Sequence, residues 1–268
     1  MDKFLLNEMT WKEAKEAFKK TDIAIISTGA CHPHGSACPL GTDNITAEEF
    51  SNRIGKKCME RGINLIIIPN IPFGYNEYHG DFPGNISIDQ SVLESYYINI
   101  CKWLHKWGIK KIIWNCSHGG NISAISSVAY RCRNKFGLLS VLFSWYDQYI
   151  DLENKFSYAD EGLVQEMSAI LYLKPELCNI SEENFSEYKQ PFGDIFSLID
   201  YTHIKFRNGK IRFFLNTKDV TDTGGWGPPE STDYSKASAK LGEHMIETVV
   251  TFIVDFIEKF KNIEVPNN

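Results

Sequence analysis

The sequence predicts an α/β protein with a mainly parallel central sheet that helices cover on both faces. Short β-rich apolar runs alternate with longer helical segments along most of the chain, and this alternation is typical of parallel sheets whose crossovers are helices. Histidine-bearing loops directly follow two of the apolar runs, as expected when ligands bind beyond the carboxyl ends of strands. The 268 residues are enough for one large domain, which we expect to span residues 1–268.

The predicted elements follow from hydrophobic periodicity and from helix start and stop signals. Thr46, with Glu49 three positions later, forms a capping-box pattern that predicts the start of a helix. The segment 69–85 is rich in turn-forming residues and predicts a long loop, a type that is usually functional in compact domains. In chain order we expect a helix around 11–19, a strand at 22–27, a helix at 46–61, a strand at 64–68, a helix at 88–107, a strand at 110–114, a helix ending near 136, a strand at 137–143, a helix at 162–173, an extended segment at 207–215 and a helix at 237–261.

Composition favours a cytoplasmic protein that acts on small molecules. The formal net charge is −6 and the basic residues form no stripe, which argues against a nucleic-acid partner. The N-terminus lacks a cleavable apolar segment and the longest apolar runs are strand-sized, so we expect neither export nor a membrane span. The seven cysteines form no CxxC pair, which favours reduced thiols over a disulfide framework.

Three histidines and one aspartate form a candidate metal site. His32 and His34 follow the first predicted strand, and two imidazoles at spacing i, i+2 on extended backbone point to the same side. Asp43 lies in a turn-rich segment just downstream, and His118 follows the third predicted strand. A single histidine more often satisfies a buried polar contact, but three at strand ends with an aspartate favour a centre for zinc, manganese, iron or cobalt. One aspartate can bridge two such ions, which would polarise a carbonyl and generate hydroxide near neutral pH.

Further candidate residues lie in loops and helix starts near this cluster. Gly119 and Gly120 let the backbone approach a bound group, or form a plain helix-start turn. Glu166, one turn inside a predicted helix, could supply another metal ligand or a base. Asp160 and Glu161 could do the same, or form a solvated acidic helix start.

Aromatic and thiol groups leave two more alternatives open. Trp145 follows the fourth predicted strand and could wall a pocket, although a core aromatic is the more common role. Cys31 and Cys38 flank the histidines and could be thiolate ligands or nucleophiles, although simple packing is more common.

Five ordered motifs between about residues 22 and 250 resemble those of the creatininase (creatinine amidohydrolase) family. Gly29 to Asp43 is similar, in register, to G-S-x-E-Q-H-G-P-H-L-P-L-x-T-D. The loop at 72–88 resembles P-x-G-x-x-x-E-H-x-x-F-P-G-T-x-S-L, with His79 in place. Asn115 to Asn121 resembles N-G-H-G-G-N. Glu166-Met167-Ser168 resembles E-T-S, and Leu173-Lys174-Pro175 resembles the L-R-P that follows it. The last motif, G-x-x-G-x-P followed by A-x-x-x-K-G-E, is matched by 225–229 and 237–243.

The resemblance implies a fold, a metal centre and an activity. The fold is a three-layer α/β/α sandwich, commonly assembled as a hexamer. The activity is metal-dependent hydrolysis of a non-peptide, often cyclic, C–N amide bond, in which a metal-bound hydroxide attacks the carbonyl. The metal positions fall on His32, His34, Asp43 as the bridge, His118 and, as an additional ligand, Glu166. We therefore expect two divalent transition metals per subunit, with zinc favoured and manganese or iron as alternatives.

Two departures from the family pattern bear on the chemistry. His32 stands where the family has a glutamate, which removes a negative charge and favours borderline metals such as zinc. The histidine that serves the family as proton donor is replaced near Asp160 and Glu161. We therefore expect Glu161, Glu166 or Asp160 to deliver a proton to the leaving nitrogen.

Loop residues are expected to determine which substrate is cleaved. Creatinine-cleaving members carry tyrosine and glutamate just after the third-motif histidine, where this chain has glycines, which argues against creatinine itself. The candidate substrate-binding residues are Tyr75, Asn76, His79, Gly119, Gly120, Trp145 and Trp226. Two other hypotheses remain: a non-hydrolytic member that keeps the metal shell for ligand binding or a lyase-type step, and a thiol-dependent enzyme.

Overall fold

The structure is a computed structural model that describes residues 3–153, 162–180, 189–193, 195–200, 202–225 and 234–266. The helices in these residues are α1 (Trp11–Phe18), α2 (Thr42–Glu60), α3 (Gln90–Lys106), α4 (Ile122–Phe136), α5 (Trp145–Glu153), α6 (Gly162–Leu173), α7 (Thr217–Val220) and α8 (Ala239–Phe260). The strands are β1 (Ile23–Thr28), β2 (Ile66–Ile67), β3 (Lys111–Cys116), β4 (Leu139–Phe143), β5 (Leu198–Asp200), β6 (His203–Phe206) and β7 (Gly209–Arg212). None of the described helices combines the length and the apolar character that a membrane crossing requires.

The central sheet is parallel, with its described strands in the order β2-β1-β3-β4. Successive residues of β1 point to opposite faces, and both faces are buried. Ile23 and Ile25 pack with α2, α6 and α8 in one apolar cluster, whereas Ala24 and Ile26 pack with α3 and α4 in another. The predicted three-layer α/β/α arrangement is therefore confirmed.

The register between β1 and β3 brings the two histidine loops together. Thr28 and Cys116, the last residues of these strands, are direct partners across the ladder. In the strand order β2-β1-β3-β4, the chain turns to opposite sides of the sheet after β1 and after β2, which makes the β1–β3 edge a topological switch point. Such crevices are the usual ligand sites of open parallel sheets. His32 and His118 both lie in loops that begin at this crevice.

A second sheet is formed by β5, β6 and β7, which pair in antiparallel fashion. The sequence predicted only an extended segment at 207–215 for this region, because strands of three or four residues give little periodic signal. Helices α5 and α7 were also absent from the prediction.

The predicted start of the second helix is wrong by one turn. Helix α2 begins at Thr42, with Gly41 as its N-cap, rather than at Thr46. The Thr46 hydroxyl hydrogen-bonds to the Thr42 and Asp43 carbonyls inside the helix, and it caps nothing. Asp43 therefore lies in the first helical turn instead of a free turn, where the helix dipole stabilises its negative charge.

Helices α6 and α8 pack at very close range, and this contact positions Glu166. At Gly242 any Cβ would overlap the Ser168 carbonyl, so only glycine allows the two backbones to approach this far. Ser168 also accepts a hydrogen bond from the Ser238 backbone N–H at the start of α8 (3.1 Å). These residues belong to the fourth and fifth sequence motifs, whose role here is to hold α6 in place.

Candidate metal centre

Two imidazoles converge on one oxygen of a buried carboxylate. His32 Nε2 lies 2.9 Å and His118 Nδ1 3.0 Å from Asp43 Oδ2. The two ring nitrogens are themselves 3.0 Å apart. All three side chains are at least nine-tenths buried. This first donor set joins the loop after β1, the start of α2 and the loop after β3.

A second donor set lies on the other oxygen of the same carboxylate. His34 Nε2 is 2.9 Å from Asp43 Oδ1, and Glu166 Oε1 is 4.0 Å from the same nitrogen. Within each set, the ligand atoms lie within 4.8 Å of one another. Asp43 belongs to both sets, so its carboxylate lies between two potential ion positions.

Backbone carbonyls determine which nitrogen of each imidazole faces the centre. His32 Nδ1 donates to Pro33 O (2.9 Å), His34 Nδ1 to His32 O (3.0 Å) and His118 Nε2 to Tyr75 O (3.0 Å). A hydrogen-bond acceptor on the ring nitrogen that faces away from the centre usually fixes the tautomer of a metal-binding histidine.

The first donor set fits a cation on chemical grounds. Burial, with the neighbouring His34, lowers the pKa of His32 to about 3, so this ring is neutral at physiological pH. Because the neutral His32 ring donates from Nδ1 to Pro33 O, it turns the lone pair of Nε2 toward the Asp43 carboxylate. That lone pair and the Asp43 oxygen repel one another at 2.9 Å, and a divalent ion held by His32, Asp43 and His118 would relieve the repulsion. Two imidazoles and a carboxylate suit zinc, manganese or iron.

The second donor set carries a proton until an ion displaces it. Burial alone would lower the pKa of His34, but the Asp43 and Glu166 carboxylates raise it to about 9. Burial would likewise raise the pKa of Asp43, but the positive charge of His34 holds it well below its ordinary value. His34 therefore forms an imidazolium–carboxylate pair with Asp43, and an ion at this position must release a proton to bind.

Glu166 occupies an environment that favours its neutral form. Burial is the main cause and the Asp43 charge adds to it, against the opposing effect of His34, and together they raise the pKa of Glu166 to about 7. The side chain retains 22 % exposure and lines the cavity above the centre. Glu166 can therefore either bind an ion or exchange a proton near neutral pH.

The long loop at 69–85 holds His118 in place. Tyr75 supplies the carbonyl that accepts from His118, and the Tyr78 hydroxyl lies 3.3 Å from the same nitrogen. At Gly120 a Cβ would overlap Tyr75 O and His118 Nε2. Glycine at position 120 is therefore required on steric grounds, whereas the sequence left open close approach of the backbone to a bound group or a plain helix-start turn.

The candidate substrate-binding residues fall into two groups. Tyr75, His79, Gly119 and Gly120 line a cavity of about 960 Å³ that opens above the centre. The His79 ring stacks on His32 with 4.3 Å between centroids, and its Nδ1 lies 2.9 Å from the Thr217 hydroxyl. These four positions can contact a ligand or support the residues that do.

Asn76 and Trp145 have structural roles instead. Asn76 is fully buried, and its amide donates to Cys31 O (3.2 Å) and Asn85 while its backbone N–H donates to Ser87, which braces the loop. Trp145 is 1 % exposed and stacks on Phe50 within the core. The prediction that Trp145 walls the pocket is therefore corrected, because the apolar cluster buries its indole. Asp160, Glu161 and Trp226 lie outside the described residues.

Several cavity residues were missed at the sequence level. Tyr78 was detectable, since it stands where the family pattern has glutamate. Others come from segments whose approach depends on tertiary packing and gave no local signal. The missed lining residues include Glu77, Gln90, Tyr146, Arg212 and Phe213.

The surroundings of Cys31 and Cys38 disfavour the thiolate forms of these two residues. Burial raises the pKa of Cys31, whose Sγ lies 3.7 Å from the Gly84 carbonyl. The pKa of Cys38 is raised by its hydrogen bond with Cys178 and by burial. Neither belongs to a described metal-binding group. This environment disfavours the thiolate that a thiol-dependent enzyme needs.

Substitution of adjacent glycines tests how His118 is held. We expect Gly120→Ala to push His118 away from Asp43 and to lower the affinity of the first donor set for zinc at least tenfold, because the new Cβ overlaps both the imidazole and its acceptor. Gly119→Ala is the matched control, since its Cβ would meet only the Tyr146 hydroxyl at 3.4 Å. Isothermal titration calorimetry of metal-stripped protein measures the zinc affinity of both variants. Equal affinities in the two variants would contradict the steric account.

Comparison with known proteins supplies independent information about the family. The sequence model that defines the Creatininase family (creatinine amidohydrolase) matches residues 7–257 of this chain. Two curated proteins are similar over shorter segments: the 3-dehydro-scyllo-inosose hydrolase of Thermotoga maritima (23 % identity over 157 residues) and the mycofactocin precursor peptide peptidase of Mycolicibacterium smegmatis (23 % over 115 residues). The matches cover 58 % and 42 % of this chain but only 48 % and 46 % of those proteins, so the chain aligns with about half of each relative's length.

Solved structures share the fold over nearly the whole chain. A creatinine amidohydrolase (creatininase) has a TM-score of 0.72 at 19 % identity, with 98 % of this chain and 100 % of that chain covered. A structure described as "Creatininase Mn" has a TM-score of 0.72 at 18 % identity, and a creatininase variant of "Zn-Zn type" has 0.69 at 18 % identity, both with the same coverage. At these identities the likeness shows the fold alone. The match of the family model to residues 7–257 goes further, and on that match the chain belongs to the creatininase (creatinine amidohydrolase) family.

Proposed function

We propose that this protein is a dinuclear metal-dependent amidohydrolase that cleaves a non-peptide C–N amide bond of a small, cyclic substrate. The observation that carries the proposal is the Asp43 carboxylate, whose two oxygens each face a separate donor set. His32 and His118 would hold one ion with Asp43, and His34 and Glu166 would hold the other. When bound, the two ions would polarise the scissile carbonyl and lower the pKa of water, so that hydroxide would be available near neutral pH to attack that carbonyl.

Zinc is the metal that this donor set favours. Three imidazole nitrogens and two carboxylates form a mixed nitrogen and oxygen shell, which suits borderline metals better than magnesium. His32, in place of the family glutamate, adds to this preference. The family structures described as "Mn" and "Zn-Zn type" support zinc and manganese as the candidates to be tested first.

The chain's own groups would orient the substrate and control protons. Apolar and aromatic side chains on the cavity wall, among them Tyr146, Ile150 and Phe213, would exclude bulk water and strengthen electrostatic interactions at the centre. Glu166 has a pKa near neutrality, which suits it to pass a proton to the leaving nitrogen when it is not occupied as a ligand. Asp160 and Glu161 remain alternative proton donors by their position in the sequence.

The cavity suggests a substrate larger than a bare ring. A volume of about 960 Å³ lies at the upper end of the range for drug-sized ligands, so a small cyclic amide would leave most of it empty. The relatives named as an inosose hydrolase and a precursor peptide peptidase support hydrolysis as the reaction class. We therefore infer a cyclic amide that bears an apolar or aromatic substituent. By the family resemblance we also infer a homo-oligomer, with a hexamer as the first candidate.

The experiment that tests the proposal is a screen of substituted lactams and cyclic ureides against zinc-loaded and manganese-loaded protein. We expect metal-dependent ring opening by the wild type. Asp43→Asn should abolish turnover and reduce bound metal from two ions per chain to fewer than one, because both donor sets lose the charge that they share. Metal content is measured by elemental analysis. Full metal content and activity in Asp43→Asn would refute the shared bridge, and metal-replete wild type that binds these compounds without turnover would favour a non-hydrolytic role.

Glu166→Gln distinguishes a ligand from a proton carrier. If Glu166 binds the second ion, the variant should retain about one metal per chain, since His34 and Asp43 alone hold it weakly. If it only transfers a proton, the variant should retain two ions but lose the limb of its pH–rate profile that titrates near pH 7. The conservative Gln165→Asn change, on the neighbouring cavity residue, is the control for local packing. Unchanged metal content together with an unchanged pH profile would exclude both roles.

A further inference from the structure

Two cysteines meet where the loop that carries His34 contacts the segment after α6. The side chains of Cys38 and Cys178 are hydrogen-bonded to each other. Their backbones are in contact as well, because the Asn179 N–H donates to the Ala37 carbonyl (2.9 Å). Paired β-strands approach to a similar distance, and that range includes the Cα separation of about 4.4 to 6.8 Å that a disulfide needs. The two thiols therefore lie where a disulfide can form with little movement of the backbone.

Both of these cysteines are partly exposed to solvent, unlike a second pair of the same kind. Cys38 and Cys178 are each of intermediate burial, and the residues on both sides of Cys178 are exposed. Cys101 and Cys132 are also hydrogen-bonded to each other, but each is only 1 % exposed in the apolar cluster that contains α3 and α4. A small oxidant therefore has access to the first pair in the folded protein, whereas it reaches the second pair only after the core opens.

We propose that Cys38 and Cys178 are a redox-sensitive pair that hydroperoxides convert into a reversible disulfide within one chain. The bond ties the loop that follows β1 to the segment that follows α6. Disulfides of this kind, formed between accessible thiols and easily reduced, are typically regulatory rather than structural. The formation of the bond does not depend on the proposed enzymatic function.

The hydrogen bond between the thiols gives them different roles in the oxidation. The Cys38 thiol donates to the Cys178 sulfur, and this hydrogen bond lowers the pKa of Cys178. Cys178 therefore has the greater thiolate character, and the thiolate is the form that attacks peroxides. Its sulfur takes a hydroxyl group from the hydroperoxide as the O–O bond breaks, which yields a sulfenic acid and releases water or an alcohol.

Cys38 completes the disulfide in a second step. Its sulfur attacks the sulfenic sulfur of Cys178, the S–S bond forms, and the S–O bond breaks. The hydroxyl group leaves as water together with the proton of the Cys38 thiol. The two sulfurs lose two electrons in total, and the hydroperoxide gains them. A dithiol reductant reverses the reaction by thiol–disulfide exchange.

The disulfide joins the two segments that supply the second donor set. Cys38 forms an isolated antiparallel bridge with His34 through the backbone, and it packs against the small apolar cluster that this loop forms with α6. Cys178 follows the same helix, which carries Glu166. The bond thus prevents the segments of His34 and Glu166 from separating, so that oxidation should slow the release of an ion held between them. This consequence, unlike the bond itself, rests on the proposed function.

The first test maps disulfides in the full-length protein after treatment with hydrogen peroxide, by peptide mass spectrometry without reduction. We expect a peptide cross-linked between Cys38 and Cys178 in most chains, and its loss on addition of dithiothreitol. Cys101 and Cys132 should remain thiols. Cys178→Ser should give no cross-link, whereas Cys31→Ser, at another partly buried cysteine, is the matched control and should give the wild-type yield. Oxidation of either residue without a cross-link between the two, or survival of both as thiols, would overturn the proposal.

The second test measures the release of zinc to an excess of chelator, from reduced and from peroxide-treated protein loaded with two ions per chain. We expect oxidation to slow the release of one ion at least threefold and to leave the other unchanged. Peroxide-treated Cys178→Ser should release both ions at the rates of reduced wild type. Equal rates in the reduced and the cross-linked protein would overturn the coupling between the disulfide and the second donor set. Binding of fewer than two ions by the reduced protein would instead count against the proposed dinuclear centre.

Discussion

The Asp43 carboxylate is the group on which the rest of the site depends. It is almost fully buried, it accepts from the protonated imidazole of His34, and it faces one ring nitrogen each of His32 and His118. A buried charge in this position is tolerable only when positive charge surrounds it. The start of α2 provides part of that compensation through its dipole, His34 provides part through its charge, and the proposed cations would provide the remainder. The fold is arranged so that four separate segments supply these partners.

Each partner is fixed by an interaction that has no direct role in chemistry. The β1–β3 register brings the two histidine loops to one edge of the sheet, and backbone carbonyls select the tautomers of the rings. The absence of a side chain at Gly120 leaves room for the carbonyl that holds His118, and its absence at Gly242 lets α6 carry Glu166 toward the centre. Residues of the second, third and fifth family motifs thus support the proposed metal ligands, which are a minority of the matched residues.

Local pattern was sufficient for the strongly periodic parts of this chain. Burial on both faces of the sheet gives β1 and β3 continuous apolar runs, so these strands and the histidines after them could be identified. The long amphipathic pattern of α8 was equally clear. The start of α2 could not, because Thr46 and Glu49 form a capping-box pattern one turn inside the helix, whereas its actual N-cap, Gly41, offers no capping side chain. Trp145 was ambiguous for a related reason: an aromatic after a strand can face a pocket or the core, and only packing against Phe50 decides. The hydrogen bond from His118 to the Tyr75 carbonyl joins distant segments through the backbone, so no residue type in the sequence predicts it.

The central claim is that two separate ions lie on either side of Asp43. Anomalous diffraction from crystals of the zinc-loaded protein, recorded at the zinc absorption edge, tests it most directly. The account predicts two anomalous peaks, one bounded by His32, Asp43 and His118 and the other by His34, Asp43 and Glu166. Absence of either peak would contradict it.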